Sequence, residues 1–236
     1  MNEKHKKDVL LIAHRGASKI APENTLKAFQ KAIELEADYI EFDVHQSKDG
    51  EVVIMHDANT FRTTRHFGAI KNMTLKELKS LNAGEGEKIP TLQELIEIAK
   101  GKIKLQLEIK DEGMVKKIVT ILKDADFIES TTISSFKHKE LLEVQKIEPS
   151  INLVALIVGI NTIKIIKKAI RNKFQAIQPF YTFIRKSFID SAHENNIKIN
   201  AWIVNSKETM KKLIEMGIDG IITNDVEAAK EVLDRK

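Results

Sequence analysis

Short apolar, β-branched runs alternate with longer segments of helical period along almost the whole chain, and the alternation repeats eight times. That pattern reads as eight βα units. The expected strands are Val9 to Ala13, Tyr39 to Val44, Ile103 to Ile109, Thr131 to Ser134, Leu153 to Ile157, Ala176 to Gln178, Ile197 to Val204 and Gly220 to Thr223. Helix candidates between them carry one apolar face, such as Leu26, Phe29, Ala32, Ile33 and Leu35, or Met210, Leu213, Ile214 and Met216, with Lys and Glu elsewhere. Eight such units can close as a (β/α)₈ TIM barrel or stay open as a doubly wound sheet, which usually has fewer strands and a Gly-rich phosphate turn. No G-x-G-x-x-G follows the first strand, and Gly84-Glu85-Gly86 precedes a helix cap instead. The closed barrel is the expected fold.

Strand starts recur at intervals that fit single βα units, except between the second and third strands, where roughly 60 residues intervene, too many for a βα loop. A small insertion after the second strand, at about residues 46–89, accounts for the excess. Within it, Glu51 to Met55 reads as an extra strand, and Thr74 with Glu77 has the spacing of a capping box. Thr91 with Glu94, behind Pro90, repeats the box and opens the helix that returns to the barrel. With no linker and no low-complexity tract, residues 1–236 are expected to form one domain. A hydrophobic fraction of 42% with only 10 Gly and 4 Pro excludes disorder and collagen-like structure.

The 38 basic and 34 acidic residues are too evenly mixed to imply nucleic acid. Zero Cys removes disulfides, thiolate nucleophiles and Cys-ligated metals, and fits a reducing cytoplasm. The first apolar run, Val9 to Ala13, is too short for a signal core or a membrane span, so no stable membrane insertion is expected.

In barrels, polar residues at the carboxyl ends of strands read as catalytic. His14-Arg15-Gly16 follows the first strand directly. On the second, a period of two puts Glu41 and Asp43 on one face, pointing into the barrel mouth; on the third, Glu108 and Lys110 do the same. Three carboxylates brought together cannot all stay ionised without protons or a cation, so one divalent metal is the economical explanation. Oxygen ligands favour Mg²⁺ or Ca²⁺. His45 continues the period but lies at the strand's exit, and its loss is expected to change activity little. His56-Asp57 ends the extra strand and would bring a second imidazole to the mouth beside His14. Trp202, the only tryptophan, either fills the barrel or lines the substrate site.

These motifs resemble the glycerophosphodiester phosphodiesterase family: His14-Arg15-Gly16, Ala21-Pro22-Glu23-Asn24-Thr25, Glu41-x-Asp43-Val44, Lys48-Asp49-Gly50 and His56-Asp57. The match continues in order through Arg62-Thr63-Thr64, Ile89-Pro90-Thr91-Leu92, Glu108-x-Lys110, Ser134-Ser135-Phe136, Trp202-x-Val204-Asn205 and Gly217-x-Asp219-Gly220-Ile221-Ile222-Thr223. The resemblance implies hydrolysis of small glycerophosphodiesters to sn-glycerol 3-phosphate and an alcohol, with a divalent metal. By position it implies metal binding by Glu41, Asp43 and Glu108, general acid and base roles for His14 and His56, and phosphate binding by Arg15 and Lys110. Which imidazole is the base, and whether water or the glycerol 2-hydroxyl attacks, stay open.

Two departures stand out: Thr60-Phe61 replaces a common Leu-Asp, and Thr223-Asn224-Asp225-Val226 replaces Thr-Asp-x-Pro. Both are expected to affect the loops around the alcohol group, not the chemistry. Two rival functions share the motifs. One is a lysophospholipase D or phospholipase C-like activity on acylated lipid, for which residues 161–189 offer seven Lys or Arg and no Asp or Glu. An apolar stripe of Ile163, Ile166, Ile170 and Phe174 makes a solvated barrel helix the preferred reading of that segment. The other is a non-catalytic anion-binding barrel, which would have no use for a paired acid and base. Neither partner chains nor oligomeric state can be read from the residues.

Overall fold

A computed structural model describes residues 6, 8–159 and 161–235. The strands are β1 (Leu10–His14), β2 (Tyr39–Gln46), β3 (Val52–Ile54), β4 (Lys104–Ile109), β5 (Thr131–Ser135), β6 (Asn152–Ile157), β7 (Ala176–Pro179), β8 (Lys198–Ala201) and β9 (Gly220–Thr223). All except β3 run parallel, in the order β1-β9-β8-β7-β6-β5-β4-β2, and β1 pairs with β2 to close the ring. The result is the expected eight-stranded TIM barrel with one extra strand, β3, antiparallel on the outer part of β2.

Helices between the strands form the outer layer: α1 (Leu26–Glu34), α2 (Phe61–Thr64), α3 (Leu75–Ser80), α4 (Leu92–Ala99) and α5 (Val115–Asp124) in the first half. They continue as α6 (His138–Ile147), α7 (Thr162–Arg171), α8 (Lys186–His193), α9 (Lys207–Glu215) and α10 (Val226–Val232). Both expected capping boxes are formed, with Thr74 and Thr91 accepting from the amides of Glu77 and Glu94 while each glutamate returns to the cap amide. Among the described residues, no helix is long and apolar enough to cross a membrane.

The helices bury their apolar stripes against outward-facing strand residues in one core that includes Phe29, Phe42, Leu107 and Ile177. The insertion has a smaller core of its own: Val53, Met55, Ile70, Leu78, Ala83 and Ile89. Two details differ from the sequence reading. β8 stops at Ala201, because Trp202 leaves the regular ladder and keeps only a bridge to Phe180. Of the expected stripe, Ile166 on α7 and Phe174 just beyond it are buried, but Ile163 and Ile170 are exposed, because the helix turns its Ile166–Ala169 face to the barrel.

Candidate active site

Strand register stacks the polar residues in two levels. His14 aligns with Glu41, and Glu41 with Gln106; one level nearer the mouth, Asp43 aligns with Glu108. A period of two keeps Glu41 and Asp43 on one face of β2, and Gln106 and Glu108 on one face of β4. Gln106 and Gln178 exchange 2.9 Å hydrogen bonds across the barrel and floor the site, so neither buried amide is left without a partner. Above them lies a pocket of about 130 Å³ lined by His14, Glu41, His56, Glu108, Lys110 and Trp202, with Phe136 and Leu156 on one side.

The turn after β1 is shaped by two residues in the left-handed region, Arg15 (φ 57°) and Gly16 (φ 81°). A Cβ at Gly16 would lie 2.7 Å from the Ala28 backbone, so only glycine lets the start of α1 pack this close. The Arg15 amide donates to the Glu41 carbonyl (2.8 Å) and to its side chain (3.2 Å), which fixes the turn to β2. His14 then projects over the pocket, its Nδ1 donating to Asn224 Oδ1 at 2.6 Å and its Nε2 lying 4.0 Å from Glu41. Burial, with help from Arg15, lowers its pKa to about 4, so it is neutral at pH 7.

His56 arrives from the insertion at the end of β3. Its Nδ1 meets Asp57 at 2.6 Å, and Asp57 accepts from Arg62 Nε at 2.7 Å. Arg62 also grips Glu23 through two contacts of 2.6 and 2.8 Å, and Glu23 accepts from Arg15 at 2.8 Å. A chain of alternating charge thus joins both sides of the mouth. Burial lowers the His56 pKa, with Asp43 and Asp57 opposing the shift. Burial alone would raise Asp57, yet Arg62 and His56 hold it at about 2.

Ligand oxygens of Glu41, Asp43 and Glu108 lie within 4.8 Å of one another. Burial, then Asp43 and Glu108, push Glu41 well above the usual carboxylate range, and burial with Asp43 pushes Glu108 up to about 7. Asp43 shifts the other way, because Lys110 and Arg15 outweigh its burial. Lys110 Nζ sits between Glu108 (2.7 Å) and Asp43 (2.9 Å). Asn24 donates to Asp43 at 3.0 Å, while its own buried Oδ1 has no partner among the described residues. Three buried carboxylates whose negative charge is only partly offset, with all-oxygen donors, fit a hard divalent cation.

Every site residue expected from the sequence lies at this end of the barrel, with differences in depth. Arg15 stands behind the pocket wall, its Nε 3.4 Å from Asp43 without hydrogen-bond alignment. His45 is turned away from the carboxylates. Its ring joins Asp111 (2.9 Å) to the main-chain carbonyl of His56 (3.1 Å), a brace for the segment that carries His56. Trp202 lines the pocket, its Nε1 donating to the Gln178 carbonyl at 2.8 Å and its ring meeting Phe136 and Phe180 edge-on. Asn224, assigned from sequence to a loop away from the chemistry, instead orients His14. Asn205 Oδ1 accepts from the Asn224 amide at 2.9 Å, which gives the Trp202-x-Val204-Asn205 motif its structural role. Glu23, Asp57 and Arg62 belonged to recognised motifs, yet their mutual contacts join residues up to 39 positions apart and left no local periodicity to detect.

The glycerophosphoryl diester phosphodiesterase family model matches residues 14–228. The chain is 39% identical over 231 residues to a glycerophosphodiester phosphodiesterase of Caldanaerobacter subterraneus subsp. tengcongensis, covering 92% of this chain and 95% of that one. It is similar in structure to an Oleispira antarctica phosphodiesterase solved with the product sn-glycerol-3-phosphate, with a TM-score of 0.90, 29% identity and coverage of 95% and 96%. It also resembles the glycerophosphodiester phosphodiesterase of Thermotoga maritima, with a TM-score of 0.82, 31% identity and coverage of 93% and 96%.

Proposed function

Because the chain belongs to the glycerophosphoryl diester phosphodiesterase family and is an enzyme that hydrolyses glycerophosphodiesters, we propose that it does so by paired-imidazole catalysis over a divalent-metal centre. One observation carries the reading. Two imidazoles, each anchored through Nδ1, face one small pocket above three carboxylates and Lys110.

A phosphodiester monoanion repels an incoming anion, so the site must offset charge and move one proton in and one proton out. A cation held by Glu41, Asp43 and Glu108, Mg²⁺ or Ca²⁺ by donor chemistry, would supply charge neutralisation at the phosphoryl oxygens. Lys110 lines the pocket and offers a second positive charge to phosphate, while Arg15 supports it from behind Asp43. Anchoring at Nδ1 leaves Nε2 as the proton-exchanging atom of each ring. His14, backed by a neutral amide and already uncharged at pH 7, takes the nucleophile's proton. His56, whose imidazolium the Asp57 carboxylate stabilises, donates the proton to the departing alkoxide. Trp202 forms the wall against the organic part of the substrate. Residues 1–236 are read as one catalytic domain, and a cytoplasmic setting, suggested by the lack of cysteine, belongs to the same reading.

A second reading, cleavage of lipid that keeps an acyl chain, is favoured by one feature. An apolar cavity of about 310 Å³ beside the pocket shares Phe136 and Leu156 with it and runs between β6 and α7. Parallel coupled assays for glycerol 3-phosphate and for choline over glycerophosphocholine, glycerophosphoethanolamine and lysophosphatidylcholine, with and without chelator, test both. Release of glycerol 3-phosphate from the deacylated diesters, lost on chelation, supports the first. Choline release from the acylated substrate alone would replace it with the second.

A further inference from the structure

Among the described residues, seven large apolar side chains are exposed, and they are not scattered. Six lie on segments that follow the carboxyl ends of strands: Ile20 after β1, Phe61 and Phe67 in the insertion, Phe136 after β5, and Val158 and Ile163 after β6. The seventh, Ile170, is near the far end of α7. Single exposed apolar residues need no explanation, but six around one opening do. Phe67 is 79% exposed and Val158 is 75% exposed, which is more than packing within the chain requires.

Basic charge accompanies these segments, although Arg171 and Lys173 lie past Ile170 at the far end of α7. Residues 58–76, which carry Phe61 and Phe67, contain Arg62, Arg65, Lys71 and Lys76 and no acidic residue, and 161–189 contain seven basic residues and no acidic one. Arg62 is engaged by Asp57 and Glu23, but Arg65, Lys71, Lys164, Lys167 and Lys168 are exposed and have no ion-pair partner among the described residues. The apolar side chains fall into separate groups around the mouth: Phe61 and Phe67 meet at 6.5 Å in the insertion, while Phe136 and Val158 edge the apolar cavity beside α7. Groups set apart around one opening suit a plane, into which each group dips, better than a folded partner, which buries one contiguous patch.

We infer that the catalytic face docks on the surface of a lipid bilayer carrying anionic lipid, with Phe61, Phe67, Val158 and Ile163 entering the interface and the unpaired Lys and Arg facing the headgroups. Neither element suffices at physiological salt, where surface charge is screened beyond ~8 Å, so apolar and basic contributions act together. The inference concerns binding and stands apart from the proposed chemistry.

Sedimentation with sucrose-loaded vesicles tests it, using phosphatidylcholine alone and phosphatidylcholine with about one part in three of phosphatidylglycerol, at ~0.15 M salt. The expected result is pelleting with the anionic vesicles only. Phe67→Ser combined with Val158→Ser should lower that binding at least ~10-fold while hydrolysis of soluble glycerophosphocholine continues at the wild-type rate. Ile170→Ser, at the other end of α7, should bind as wild type does. Absence of pelleting by the wild-type protein overturns the inference, as does an equal loss in Ile170→Ser. A wild-type dimer that Phe67→Ser converts to monomer, with no vesicle binding, would assign the face to a second copy of the chain instead.

Discussion

Glu108→Gln should make the metal-free protein more stable at alkaline pH and leave it unchanged at acid pH. Glu108 binds its proton more tightly in the folded chain, where burial and Asp43 raise the pKa from 4.5 to about 7. The stability associated with that proton is complete below pH 4.5 and is lost as pH rises through about 7. At about 1.4 kcal/mol per pH unit, ionising Glu108 against its neighbours costs on the order of 3 kcal/mol by pH 8. Glutamine keeps the neutral state at every pH. For a domain of this size the difference amounts to a melting temperature ~6 to 12 °C higher for the variant at pH 8, and none near pH 4.5. His14 contributes the opposite slope, since its lowered pKa destabilises the fold as pH falls from 6.5 towards about 4. It does so in both proteins and drops out of the comparison. Calorimetry in chelator at pH 4.5, 6 and 8 is the assay. A Glu108→Gln protein that is less stable than wild type at pH 8 would show that the carboxylates do not repel one another.

Saturating Mg²⁺ or Ca²⁺ should raise the wild-type melting temperature, by ~2.7 kcal/mol of added stability at 100 times Kd, and chelator should abolish turnover; full activity in chelator would exclude a metal role. His14→Ala and His56→Ala should each lose at least ~10²-fold in kcat, and near wild-type turnover in either would remove that residue from the mechanism. His45→Ala should also lower kcat with little change in KM, because it frees the His56 main chain from Asp111; unchanged kcat refutes the bracing role. Trp202→Ala should raise KM for short diesters, whereas a stability loss of ~3 to 5 kcal/mol with KM unchanged would make the indole a packing residue only.

The barrel was legible because its strands are short and buried, which leaves apolar runs that stand out against amphipathic helices. Glu41, Asp43 and Glu108 were conspicuous for the same reason, since a carboxylate inside such a run has no solvated face to occupy. His14 and His56 followed from their places at strand ends. What escaped was the support around them. The Asn224 contact to His14 spans 210 positions, and the Arg62 grip on Glu23 spans 39, so neither leaves a trace in local spacing. Helix phase was the other weak point. Ile163 and Ile170 share an apolar stripe by sequence, yet a modest rotation of α7 buries Ile166 and Ala169 and leaves both exposed.

His14 and His56 sit on different substructures. His14 ends a strand of the closed ring, whereas His56 belongs to an insertion that pairs with β2 at three positions, grips Glu23 through Arg62, and carries a smaller core of six buried side chains. A core that small opens at lower free energy than the barrel beneath it, and hydrogen exchange would register it as a separate foldon. If the insertion opens first, half of the proposed proton-transfer apparatus is lost, and regained, while the ring stays intact. On heating, catalysis is therefore expected to fail below the temperature at which the barrel melts, a difference that activity and calorimetry measured together would show.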